Sequence, residues 1–247
     1  MSGDWIIPTG ACKAILGTTL FYPCSGNDLI APLQMFGPFI NTFWFVDRGY
    51  FSPGHQDTRH YGMDGSADMQ EPLLGHEPLY TLRKVTIDGP PSWDRYKRDI
   101  EPCIRSEVYQ HAPTGRQITV HLRRGYGRSA FHKHIRTIGI FFYRGDSLGG
   151  GGSGNFWLKP EHLDRVIDRL VDGGLIVTDG SNSGWSGYRQ LRAHHHKTFL
   201  GSPRELVESS EPFTDRAGNR FRCIGYVGER YGPTLIWQIR KRLPVSA

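Results

Sequence analysis

The four cysteines, Cys12, Cys24, Cys103 and Cys223, include no C-x-x-C pair. Neither a zinc knuckle nor a disulfide framework is therefore indicated, and reduced thiols are expected. No apolar run approaches the ~18 residues of a membrane-spanning helix, so no membrane partner is expected. The opening MSGDWIIPTG lacks a basic-then-apolar targeting pattern, and the chain reads as soluble and cytoplasmic. Five glycines fall between positions 149 and 154, but no Lys-Ser/Thr follows them, which excludes a P-loop. Internal repeats and low-complexity linkers are also missing. His194, His195 and His196 are consecutive, and adjacent side chains diverge, so a metal centre is not expected there.

What the chain does have is length and ordinary globular composition. Its 247 residues are 38% hydrophobic and 22% charged, enough for one large domain with a substantial core. The 31 glycines and 16 prolines imply long structured loops, and the formal charge of +6 favours an anionic partner over a cationic one.

Two stretches carry the fold signal. Residues 138–143 are apolar, aromatic and β-branched, as a strand buried on both faces requires. They end at Arg144-Gly145-Asp146. After the glycine cluster, Pro160 suits a first helical position, and Leu163, Val166, Ile167, Leu170 and Val171 form one helical face. Gly173-Gly174 reads as the stop signal, and 175–178 as a second buried strand ending at Asp179. A strand, helix and strand in ~40 residues make a crossover whose two strands are parallel. A second crossover is expected from strand 16–22 through the turn Pro23-Cys24-Ser25-Gly26-Asn27-Asp28. It continues into a helix with Leu29, Ile30, Leu33 and Phe36 on one face, capped by Asn27 or Asp28, and then strand 42–46 ending at Asp47.

Further along, 82–87 reads as a strand ending at Asp88, 93–103 as a charged segment of helical character, and 106–109 with 118–122 as an antiparallel hairpin turning at Pro113-Thr114-Gly115. A basic tract follows, with Arg123, Arg124 and Arg128 around Tyr126. Segments 221–227 and 233–239 read as a terminal antiparallel hairpin, since a loop that short joins only antiparallel strands. The expected fold is α/β: one Rossmann-like domain over 1–247, with a mostly parallel sheet, helices on both faces, the C-terminal antiparallel hairpin, and an inserted hairpin and loop region near 92–134.

This order of elements resembles the class I S-adenosylmethionine-dependent methyltransferases. The resemblance is one of topology more than of motif. In that family the turn after the first strand reads acid-x-Gly-x-Gly-x-Gly, and the matching positions here are Tyr22, Cys24, Gly26 and Asp28, so one glycine is retained and the leading acid is replaced. The resemblance implies S-adenosylmethionine as cofactor, held by Tyr22, Cys24, Ser25, Gly26 and Asp28, with Asp47 accepting from both ribose hydroxyls, as a carboxylate can, and Asp88 near the adenine.

Each residue also has a plainer reading. Gly26 suits close ligand approach or simply a sharp turn, and Asp47 a ligand or a loop cap. Arg144 and Asp146, the candidate catalytic pair, could orient a substrate and move a proton or form an internal ion pair. The expectation is a methyltransferase-like enzyme acting on a small-molecule ligand. The alternative is a non-catalytic ligand-binding or regulatory protein, with Arg123, Arg124 and Arg128 tracking nucleic acid as a further partner reading.

Overall fold

The structure, a computed structural model, describes residues 5–51, 72–75, 77–89, 102–146, 156–183, 188–192, 201–229 and 232–242. The helices are α1 (Thr9–Ala14), α2 (Ile30–Phe36), α3 (Gly127–His134), α4 (Pro160–Arg169) and α5 (Pro203–Ser209). The strands are β1 (Thr19–Pro23), β2 (Thr42–Asp47), β3 (Tyr80–Asp88), β4 (Cys103–His111), β5 (Gln117–Arg124), β6 (Ile138–Tyr143), β7 (Leu170–Thr178), β8 (Phe213–Thr214), β9 (Arg220–Tyr226) and β10 (Leu235–Arg240). Internal contacts divide the chain into two units. One is Leu16–Arg136, and the other joins Met1–Ile15 to Thr137–Ala247.

In the Leu16–Arg136 unit the strand order is β3-β4-β5-β2-β1. The apolar runs of β1 and β2 are buried on both faces and pair in parallel, from Thr19 opposite Thr42 to Pro23 opposite Val46. On its other side β2 pairs in parallel with β5, from Thr42 opposite Thr119 to Asp47 opposite Arg124. The short turn after His111 forces β4 and β5 to run antiparallel, and β3 lies antiparallel on β4. Along β4 burial alternates, as expected for a strand with one core face. That face includes Arg105, Glu107 and Tyr109, all buried. The Arg105 Nε lies 2.6 Å from Glu107 Oε1, and Glu107 Oε2 accepts from the Leu73 N–H at 3.0 Å. On the opposite face α3 packs on β2, with Phe131 of α3 5.7 Å from Phe21 of β1.

In the other unit the order is β6-β7-β10-β9-β8. Here β6 and β7 are parallel, while β10 pairs antiparallel with both β7 and β9. The apolar face of α4, Leu163, Val166 and Ile167, is buried, and the helix packs on β6.

Both expected crossovers and both expected hairpins are present, but the overall class is not the one expected. Within the two units, five pairings are antiparallel (β3 with β4, β4 with β5, β7 with β10, β9 with β10, β8 with β9) and three are parallel (β1 with β2, β2 with β5, β6 with β7). Among the described residues strand exceeds helix, 37% to 23%, so the expected helix-rich Rossmann-like α/β fold, with a mostly parallel sheet covered by helices on both faces, is corrected to a mixed, mostly antiparallel β architecture with short helices. The physical reason is connection length. Short turns close hairpins, and only crossovers as long as those through α2 and α4 return a strand in parallel.

Two local boundaries also move. Leu170 and Val171 begin β7 instead of ending α4, because Leu170 pairs with Ile138. Gly173 and Gly174 then lie inside the strand where its register shifts, and Gly173 takes φ +75° there. At α2 neither Asn27 nor Asp28 caps the helix; Leu29 occupies the cap position with no side-chain bond. The expected helical segment at 93–103 lies largely outside the described residues, as do the glycine cluster at 149–154 and the three histidines. No helix is long and apolar enough to cross a membrane among the described residues.

Candidate functional site

The candidate residues of the Leu16–Arg136 unit meet where β1 and β2 end side by side. Parallel pairing sets Pro23 opposite Val46, so the turn that leaves β1 lies against the residues that end β2. Four hydrogen bonds fix it there. The Ser25 N–H donates to Val46 O at 3.1 Å and its hydroxyl to the same oxygen at 3.3 Å. Gly26 N–H donates to Asp47 Oδ2 at 3.1 Å, and the Tyr50 hydroxyl donates to Gly26 O at 2.9 Å. Inside the turn, Tyr22 OH donates to Asp28 Oδ2 at 3.0 Å, and both residues are buried. The structure therefore brings Tyr22, Cys24, Ser25, Gly26, Asp28 and Asp47 together.

The turn is held in an unusual backbone state. Cys24 has φ +58° and Gly26 φ +51°, both left-handed. For cysteine that conformation costs on the order of 1–3 kcal/mol, and it persists because the surrounding bonds over-determine it. At Gly26 a Cβ would meet no described residue within 4 Å. Glycine is favoured there by φ rather than by crowding, and among the described residues the space facing its Cα is open.

Asp47 is a structural brace as well as a candidate ligand. Its Oδ2 holds Gly26, and its Oδ1 accepts from the Gly49 N–H at 2.8 Å. The second unit repeats the device. Asp179, one residue past β7, accepts from Gly145 N–H at 2.9 Å through Oδ2 and from Ser181 N–H at 2.8 Å through Oδ1. Tyr143, ending β6, donates to Asp146 Oδ2 at 2.6 Å, as Tyr22 does to Asp28. The β1–β2 and β6–β7 pairs thus each carry an acid at or just past the end of the second strand that grips the turn after the first, and a tyrosine that grips an acid within that turn.

Elsewhere the expected roles do not assemble. Asp88 ends β3, and its ladder partners run through Ile104 and Arg123 to Val46, three strand spacings or roughly 14 Å away from β2. Arg144 donates through Nη1 to Val227 O at 3.2 Å, with its guanidinium 5.1 Å from the Phe142 ring centre. Asp146 takes the Tyr143 hydroxyl on its side chain, and Asn182 Nδ2 donates to its carbonyl at 2.6 Å. Both residues are buried and engaged within their unit. Arg123 and Arg124 are buried as well, and Arg123 donates to Tyr126 O at 3.1 Å and Ser129 Oγ at 3.2 Å. Of the tract's three arginines Arg128 alone is exposed, so they form no continuous cationic surface.

Sequence reading missed Tyr50 and Gly49. Burial, then the neighbouring Asp47 charge, pushes the Tyr50 hydroxyl well above its usual pKa, so it stays protonated and serves as a donor. Its signal would have been an aromatic three residues after a strand-ending acid, and Gly49 fits the Asp-x-Gly spacing of a side-chain turn. Among the described residues no group of three His, Cys, Asp or Glu side chains could hold a metal ion.

No protein-family model, curated protein or solved structure matches the chain. Nothing in these comparisons indicates the methyltransferase family.

Proposed function

We propose that this chain is a non-catalytic protein that binds a small polar ligand against the turn between β1 and α2. The observation that carries the reading is the open space facing Gly26 beside a carboxylate, Asp47, that ends the adjacent strand. A strained turn held by surrounding bonds is the kind of local structure that clusters at ligand clamps. The non-catalytic reading is supported by how the polar groups of the described residues are used. Tyr50 is a protonated donor, and Arg144 and Asp146 are engaged with Val227, Tyr143 and Asn182.

A second reading, methyl transfer from S-adenosylmethionine, is favoured by one observation: the turn and the strand-ending acid that would share a ribose-bearing cofactor are adjacent. Calorimetry with S-adenosylmethionine, S-adenosylhomocysteine and adenosine, on the wild type and on Gly26→Asn, tests both. Asparagine tolerates left-handed φ better than most residues, so this change fills the open space at little cost in backbone strain. Heat with any of the three that weakens at least ~10-fold in Gly26→Asn, about 1.4 kcal/mol, supports the binding site. Methyl transfer to any acceptor would replace the non-catalytic reading with the enzymatic one. No heat with all three would remove the nucleoside-bearing class and with it the second reading.

A further inference from the structure

Trp44 on β2 carries two imidazoles. His121, directly opposite it on β5, stacks with ring centres 4.1 Å apart and planes at 26°. His134, in the last turn of α3, stacks at 4.8 Å and 20°. With Phe131 against Phe21, this stack is how α3 rests on the sheet. We propose that the Trp44–His121–His134 stack is an acid-responsive latch: uncharged, it holds α3 on β2 and β5, and in mild acid the charging of its imidazoles, His121 above all, releases the helix.

The chemistry of the surroundings sets the direction. Facing His121 from β4 is Ser106, whose hydroxyl meets Nδ1 at 2.7 Å and can partner either the neutral or the charged ring. Facing His134 are Arg123 from β5 and Lys133 from α3, both cationic, with Asp88 of β3 opposing them. A first imidazolium on an indole is favourable, since the ring face attracts a cation. The more exposed His134 takes that proton first, and because burial, Arg123 and Lys133 lower its pKa, that proton already loosens the helix slightly. A second, on His121, must be buried, and it meets a cation already on the same indole. Burial and His134 hold His121 down at about 4, against 6.5 for a solvated histidine. Lowering pH from 8 to 5 therefore favours any state that exposes His121 by about 30-fold. The closing turn Gly125-Tyr126 lies between this helix and the proposed ligand edge, since Gly125 N–H donates to Asp47 O at 3.0 Å.

Amide exchange of the intact chain, read by mass spectrometry and corrected for intrinsic rates, tests the latch. Peptides covering α3 should gain roughly 30-fold in opening between pH 8 and pH 5, while those covering α5 should not. In His121→Phe, which keeps an aromatic ring but takes no proton, the gain should fall to the small part that His134 contributes. In His134→Phe the gain should be smaller than in wild type, since removing a cation next to His121 lets its folded pKa rise towards the solvated one. Equal gains in wild type and His121→Phe would overturn the proposal, as would a wild-type α3 indifferent to pH. If His121→Phe does not fold, the His134→Phe gain decides alone, and a gain as large as in wild type rejects the latch.

Discussion

Replacing Asp47 and Asp179 in turn by alanine measures how much each parallel pair depends on its acid. Both carboxylates accept two backbone N–H groups, at 3.1 and 2.8 Å for Asp47 and at 2.9 and 2.8 Å for Asp179. A hydrogen bond to a charged group contributes about 1.5–3 kcal/mol when buried, and less where water can substitute. Asp179 is 5% exposed, so Asp179→Ala should cost about 4 kcal/mol. Asp47 is only half-buried, and the Gly26 and Gly49 amides it leaves can take water, so Asp47→Ala should cost about 2 kcal/mol. The asparagine variants retain one acceptor and should lose roughly half as much in each case. Urea unfolding followed by circular dichroism gives the differences, provided the slope with denaturant is unchanged. The reasoning fails if Asp47→Ala is as costly as Asp179→Ala, or if both fall below ~0.5 kcal/mol, the range of ordinary surface substitutions.

Tyr143→Phe should cost about 1.5–3 kcal/mol by urea unfolding, because it leaves the buried Asp146 carboxylate without its 2.6 Å hydroxyl partner. Thiol chemistry should single out Cys24: burial pushes Cys12 to about 12 and Cys223 to about 11 and raises Cys103, so at pH 8 a chromogenic disulfide should titrate one thiol rapidly and the other three only in denaturant. His121 has a folded pKa near 4 against 6.5 unfolded, so its contribution is complete above pH 6.5 and is lost as pH falls towards 4. Wild-type stability should drop by about 2–3 kcal/mol over that window, and His121→Phe should flatten the profile, as thermal scans from pH 7 to 4 will report.

What the sequence made legible was local. The runs forming β1, β2 and β6 are apolar on both faces, so they read as buried strands, and their crossovers dictated parallel pairing. Strand order was not legible. Ile118, Val120 and Leu122 of β5 join the core face of Phe43 and Phe45, yet nothing in their spacing says that β5 runs beside β2 rather than standing apart in an insertion. The end of α4 misled because Leu170 and Val171 continue a helical period while pairing with β6 claims them for a strand. At the site, Gly26 and Asp47 were found because both mark element ends. Tyr50 was not, because its partners, Ser25 and Gly26, are 25 and 24 residues away. The arginines at 123 and 124 were read as surface by charge alone, whereas their strand places them inside.

The paired acid braces also order events in time. Neither can form until its crossover is complete, for the Gly26 bond spans 21 residues and the Gly145 bond 34. Closing the longer loop costs about 0.4 kcal/mol more, roughly a twofold slower search. The shorter loop also lies nearer the N-terminus and leaves the ribosome first. Chain synthesis and closure entropy therefore favour the same sequence, in which the β1–β2 pair is clamped into register while the β6–β7 pair is still being made.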